Sequence, residues 1–348
     1  MFTLRWTATT LTIGALSFIL LQDQTQVPED QLSPKVSEWL KQGNFVNIFG
    51  HDMYYRLAGN LQETEKVVVF FHGFPTSSYD YHRALEHLLK DFPGFKLVFF
   101  DHIGFGFSDK PKENYEYTIH DHAENALELL TRLDIKSAHI VAHDMGDSVL
   151  TEILLRRHLN QLPQHFDTFF KSVTFTNGGM VYHLINFRLS QRILILPYVG
   201  QLATYLTSRI LPHWLSHAIS RRQLSTLWGD NVDNMEEDIE AIVSLMRWKG
   251  GQELTYKTGS YLKDRARFES RWFRALSSGL GLPTLLLWAD SDAVSPIDIP
   301  KYLAMNVFQP GSITGKYIRK TGHFLMLEQP ETWSKIISDF ILQHEKSL

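Results

Sequence analysis

The sequence predicts an α/β protein: a mostly parallel, eight-stranded sheet with helices on both faces and a helical cap inserted between two of its strands. Three observations predict it. Eight short apolar runs recur along the chain, and most are continuous rather than alternating, as strands buried on both faces of a parallel sheet must be. Amphipathic helical patterns lie between them, the alternation of a sheet covered on both sides. One long stretch, from about residue 178 to 279, breaks the rhythm with helical segments and no convincing strand.

The elements follow in order. "MFTLRWTATTLTIGALSFILLQDQ" places Arg5 before an uncharged stretch from Trp6 to Leu21. Spanning a bilayer takes roughly 20 apolar residues, so this stretch is short and fits a signal-peptide core or a signal anchor. No clean small-x-small cleavage site follows Leu21, which favours an uncleaved anchor over residues 1–22. With Arg5 on the cytosolic side, the positive-inside rule places the rest of the chain in the lumen. Cleavage would instead make it secreted. Residues 23–43 read as a polar linker ending in a short amphipathic turn.

"FVNIF" (45–49) and "DMYYRLA" (52–58) are two strands joined at Gly50–His51. "VVVFF" (67–71), "KLVFF" (96–100), "AHIVA" (138–142), "SVTFT" (172–176), "TLLLWA" (284–289) and "KYIRK" (316–320) are the other six. Helical patterns lie in "YDYHRALEHLLKDF", "IHDHAENALELLTRL", "DSVLTEILLRRHL" and "PETWSKIISDFILQHE". Residues 44–177 and 280–348 thus form two parts of one core, and 178–279 form its cap.

Composition narrows the function. A chain of 348 residues with 44% hydrophobic content can bury a large core. Its net charge is −4 and its basic residues are scattered, which argues against a nucleic-acid partner. Cysteine is absent, which excludes disulfides, thiol nucleophiles and thiolate metal sites. His102, His120 and His122 have no metal-ligand spacing with convergent acids, so neither a metal site nor another cofactor is expected.

Chemistry concentrates in four places. "VAHDMGDS" (141–148) ends a strand on Asp144, with Ala142 and Gly146 two positions either side. Small residues there relieve the crowding of a sharp strand-to-helix turn, the elbow that lifts a nucleophile over the sheet. An acid after a strand is also a common helix N-cap, so the pattern alone is weak. "FFHGFPTSSYDY" (70–81) supplies His-Gly-x-Pro after the third strand, matching the loop that donates an oxyanion-hole amide, here that of Phe74, with Met145 giving the second. "LLLWADSDAVSP" (285–296) puts Asp290 and Asp292 beyond a strand end, and "RKTGHFLMLEQPE" (319–331) puts His323 after the last strand. Nucleophile, acid and histidine in this order suggest a triad.

These motifs resemble the epoxide hydrolase and haloalkane dehalogenase branch of the α/β-hydrolase fold, over residues 45–345. "DHIGFGFSDKP" (101–111) is similar to that branch's loop after the fourth strand. The stretch from "GSYLKDRARFESRW" to "TLLLWADSD" is similar to its cap end and seventh strand. "HGFPTSSYD", "GFGFSDKP" and "TNGGM" (176–180) further resemble a group of homologues at the endoplasmic reticulum membrane. The resemblance implies that Asp292, rather than Asp290, is the acid. It implies that Tyr261 is a cap tyrosine that protonates an opening epoxide, with Tyr198 and Tyr205 as candidates for a second.

An aspartate in the nucleophile's place changes the reaction. Its reference pKa is near 3.9, so it is already ionised and can attack an sp3 carbon to give an alkyl ester. His323, held by Asp292, would then activate the water that cleaves the ester. Dehalogenases of this branch resemble one another in holding halide with a Trp after the nucleophile and often an Asn in the His-Gly-x-Pro loop. Met145 and Phe74 offer no side-chain N–H, which counts against dehalogenation. Asn177 sits where some dehalogenases carry their acid, and an amide cannot replace that charge. His143 is expected to orient the elbow by hydrogen bonding. The leading expectation is a hydrolase with an Asp nucleophile, epoxide hydrolase-like, acting with water on a small lipophilic substrate. The alternatives are a haloalkane dehalogenase-like or other hydrolase, and a catalytically quiet membrane-associated binding protein of this fold.

Overall fold

The computed structural model describes residues 27–62 and 64–345. Eight strands form one sheet in the order β1-β2-β4-β3-β5-β6-β7-β8. β1 (Asn44–Ile48) and β2 (His51–Gly59) form a hairpin, and β2 runs antiparallel to β4 (Lys96–Phe100). The other pairs, among β3 (Val67–Phe71), β4, β5 (Ala138–His143), β6 (Phe170–Thr176), β7 (Thr284–Ala289) and β8 (Ile313–Ile318), are parallel. Every residue of β3, β5 and β7 is buried, the physical reason their sequences are unbroken apolar runs.

Helices cover both faces. Thr118 and Asp121 form a reciprocal capping box that starts Ile119–Arg132. One apolar layer packs Phe71, Phe100 and Trp288 under that helix and Met145–His158. The other packs Phe70 and Phe99 under Leu85–Asp91 and Pro330–Glu345, the second of which contributes Trp333. Between β6 and β7 the chain leaves the sheet for a cap of helices, from the turn Tyr182–Leu184 to the long helix Tyr261–Ser277.

Two stretches differ from their sequence reading. The supposed linker carries a helix, Pro34–Lys41, that starts on a Ser33 cap and buries Val36 and Trp39 against the core. β8 begins three residues before the run "KYIRK" and ends within it; it lies at the sheet's edge and is mostly exposed, so no continuous apolar run marks it. No helix among the described residues is long and apolar enough to cross a membrane. The stretch read as a signal anchor lies outside the described residues.

Candidate active site

The site is assembled where β3, β5, β7 and β8 end. β5 passes straight into helix Met145–His158 through Asp144, whose φ of 48° and ψ of −106° form a tight elbow. Such a backbone is strained for a residue with a Cβ and persists only where its surroundings hold it. The Asp144 amide donates to the Thr176 carbonyl at 3.1 Å, and its carbonyl accepts from Asp147 N–H at 3.2 Å.

The loop after β3 faces the elbow. Phe74 N–H donates to Asp144 Oδ2 at 3.0 Å. Gly73 makes this approach possible, since a Cβ there would stand 2.7 Å from the Asp144 Cβ. His72 fixes the loop: its Nδ1 bonds the Gly73 carbonyl at 2.8 Å and its Nε2 accepts the His102 amide at 2.9 Å. Burial lowers the His72 pKa to about 3, so it serves as a neutral donor and acceptor. Met145 is the first residue of its helix, where backbone N–H groups have no intrahelical acceptor.

Asp292, not Asp290, meets the histidine. Its Oδ2 lies 2.7 Å from His323 Nδ1, while Oδ1 accepts the amides of Val294 and Ser295. Asp290 is exposed and accepts the Lys320 amide at 2.7 Å. Burial would lower the His323 pKa, but Asp292 foremost, then Asp144 and Asp80, raise it to about 9. For Asp144 burial alone would raise the pKa. Arg265 foremost, with His323, His143 and the Phe74 amide, outweighs burial and holds the carboxyl below its ordinary value.

Two polar residues lock the histidine loop. Asn177 donates to the Gly322 and His323 carbonyls at 3.1 Å and accepts the Ala289 amide at 2.9 Å, joining the ends of β6 and β7 to the loop. His143 Nε2 bonds the His323 carbonyl at 2.9 Å, so it steadies the histidine loop rather than the elbow it was expected to orient. The His323 amide in turn donates to Leu227 of the cap at 2.7 Å.

Asp144 and His323 share a cavity of about 490 Å³ beneath the cap, walled by Phe74, Leu194, Leu227 and Val294 among others. A profile of the alpha/beta hydrolase fold matches residues 66–330. The chain belongs to the α/β-hydrolase fold family. This hydrolase is 29% identical to the mesoderm-specific transcript homolog protein of Bos taurus over 332 residues, 94% of each chain. It is 22% identical to epoxide hydrolase 3 of Xenopus tropicalis, over 86% of this chain and 78% of that one. Among solved structures, the haloalkane dehalogenase DbeA of Bradyrhizobium elkani superposes with a TM-score of 0.68 at 20% identity, covering 88% of this chain and 99% of its own.

The cap of this hydrolase delivers two side chains to Asp144. Tyr261 is buried against the carboxylate, behind the cavity wall rather than on it, and its ring packs 5.4 Å from that of Phe74. Burial and the Asp144 charge push its pKa up, which keeps the phenol protonated. One turn on, Arg265 donates to Asp144 Oδ1 at 3.1 Å, to the Asp144 carbonyl at 2.7 Å and to Ser148 Oγ at 2.8 Å. Nothing in the sequence singles out Arg265 beyond its i, i+4 spacing from Tyr261. The structure does not bring the other two tyrosines to the site. Tyr198 is 86% exposed and Tyr205 53%, on the outer side of the cap, and neither lines the cavity.

Proposed function

We propose that this protein is a hydrolase whose Asp144 carboxylate attacks an electrophilic sp3 carbon of a lipophilic substrate, an epoxide ring fitting the site best. The observation that supports this most is an ionised carboxylate sharing one apolar-walled cavity with an imidazole already held by a second acid. We take its N-terminal segment as an anchor at the endoplasmic reticulum membrane, on the pattern of Arg5 and the uncharged stretch after it.

Oδ1 attacks the ring carbon, and the breaking C–O bond leaves its electron pair on the ring oxygen. The Tyr261 hydroxyl protonates that alkoxide. Oδ2, already on the Phe74 amide, becomes the ester carbonyl oxygen. His323 takes one proton from water as its oxygen adds to the ester carbon. The amides of Phe74 and Met145 hold the oxyanion on Oδ2, and losing one such donor costs roughly 3–4 kcal/mol of barrier. Collapse expels the second alkoxide, which takes the proton from His323. The remaining water proton returns to Tyr261, and a diol leaves.

Charge times the two steps. The Asp144 carboxylate helps hold His323 protonated. Ester formation removes that charge, so the imidazole pKa falls below about 9, its proton passes to solvent, and it becomes a base. Phe74 and Met145 present no side-chain N–H to a departing halide, which disfavours the dehalogenase chemistry of the structural neighbour.

The test is trapping. His323→Gln in the full chain, incubated with a panel of lipophilic epoxides, should gain the mass of one epoxide on Asp144. The wild-type chain in heavy-oxygen water should carry the label in the Asp144 carboxylate and release product faster as pH rises, levelling off below about 9. Product formed without label in Asp144 would sink the covalent route. Epoxides that bind without adduct or turnover would favour the binding-protein reading.

A further inference from the structure

The outer face of the cap is apolar and bare. Of the seventeen exposed large hydrophobic residues among the described residues, nine lie between Leu189 and Trp214. Leu189 is 74% exposed and Trp214 69%. They sit on helices Leu189–Leu194 and Val199–Tyr205, the turn between these two, the π-turn Leu206–Ile210 and the start of His213–Ser225. A soluble surface spreads such residues singly; grouped, they mark an interaction site.

The same helices wall the cavity with Leu194, Ala203 and Thr204, and with Thr207, which is also exposed. Leu189 and Thr207 are exposed and line the cavity, so the cavity reaches the surface beside the apolar face. The charge is one-sided. No Asp or Glu occurs from residue 178 to 229, while Arg188, Arg192, Arg209, Arg221 and Arg222 do. Arg209 and Arg221 pair with acids elsewhere in the cap, but Arg188, Arg192 and Arg222 have no acid partner among the described residues. Arg188 and Arg222 stand at the cavity wall.

We propose that this face of the cap rests in the interface of an anionic lipid bilayer, with the cavity mouth turned to the acyl chains so that substrate enters from the membrane. Leucines, isoleucine and exposed aromatic rings with arginines and no acids are the composition of an interfacial surface. Guanidinium groups with no acid partner beside the mouth suit anionic head groups, although Arg188 also donates to Thr226. Lys35 bonds Glu237 at 2.6 Å, so the first turn of helix Pro34–Lys41 meets the cap helix Met235–Arg247. The direction of substrate entry rests on the proposed reaction; the lipid contact does not.

The full 348-residue chain has no cysteine, so one introduced thiol carries one probe. Tyr198→Cys and Leu202→Cys place it on the proposed face. Leu61→Cys, 62% exposed just past the end of β2, places it at the sheet edge opposite the site. Each is labelled with the fluorophore NBD and mixed with phosphatidylcholine–phosphatidylserine vesicles carrying a nitroxide on the acyl chain. The expected result is a blue shift and severalfold stronger quenching at 198 and 202 than at 61, weakened on phosphatidylcholine alone. Equal quenching at all three sites, or none, overturns the proposal. A blue shift without vesicles also overturns it, since another part of the chain or a second copy would then cover the face. Quenching undiminished on phosphatidylcholine alone overturns the anionic requirement. The readout is lipid contact without turnover, so it stands or fails separately from the chemistry of Asp144.

Discussion

Arg265 meets two demands of the elbow at once. A buried carboxylate is costly unless a cation and hydrogen bonds compensate it, and this guanidinium supplies both to Oδ1. Its second bond, to the Asp144 carbonyl, braces a backbone whose strain is of order 1–3 kcal/mol. A lysine ammonium is a point charge and lacks the planar fork that reaches three acceptors. Arg265→Met should therefore cost about 3–5 kcal/mol, because Asp144 loses the cation that most offsets its burial. Asp144→Asn should cost a similar amount by stranding the arginine. In the double variant neither charge remains, so urea denaturation should show it losing clearly less than the two together. Additivity within about 0.5 kcal/mol would show that the pair does not act as a unit. The sequence hid this residue for a physical reason. Arg265 is one of four arginines on an amphipathic helix, and periodicity says which face it shares with Tyr261, not that the face meets a residue 121 positions earlier.

At the scale of elements, legibility followed burial. "VVVFF", "KLVFF" and "TLLLWA" coincide residue for residue with β3, β4 and β7, since strands sheathed on both faces must be apolar throughout. The elbow was legible through Ala142 and Gly146, whose small size only a sharp turn explains. Gly146 carries the clearest consequence. A Cβ there would stand 2.6 Å from the Phe71 carbonyl oxygen and 2.9 Å from that of His72. Both oxygens belong to the end of β3, which β4 and β5 grip on either side and which therefore cannot retreat. Alanine normally improves on glycine within a helix by about 1 kcal/mol. Here the sign should reverse: Gly146→Ala should lose about 1–3 kcal/mol to overpacking and should abolish adduct formation on Asp144 as the elbow shifts away from the Phe74 amide. A Gly146→Ala chain more stable than wild type in thermal melting would disprove the close approach. The cap's individual helices were less legible, because their inner faces line a cavity and their outer faces are apolar too, which blurs the helical period.

For the molecule as a whole, the stretch before the first strand is where tertiary contact overrode local pattern. Pro34–Lys41 buries only Val36 and Trp39, too few for periodicity to register, yet those two join the helix to the core. Trp39 packs edge-on to Tyr79 and Phe99, both at 5.7 Å, beneath the Arg56 guanidinium at 4.0 Å. Its Nε1 donates to Ser78 Oγ at 3.3 Å, and Tyr54 donates to its backbone carbonyl. Ser78 and Tyr79 belong to the turn that continues the Phe74 loop, so this helix supports the oxyanion side of the site from below. The same helix reaches the cap through Lys35 and Glu237, both largely exposed. The two attachments differ in kind. Removing a buried indole costs about 3–5 kcal/mol, whereas an exposed ion pair contributes roughly 0–1 kcal/mol. Trp39→Ala should therefore lower stability several-fold more than Lys35→Ala in chemical denaturation, and it should also slow ester formation, since the Phe74 amide loses its footing. Equal losses for the two variants would mean that the helix hangs from the cap, and that the core closes beneath the Phe74 loop without it.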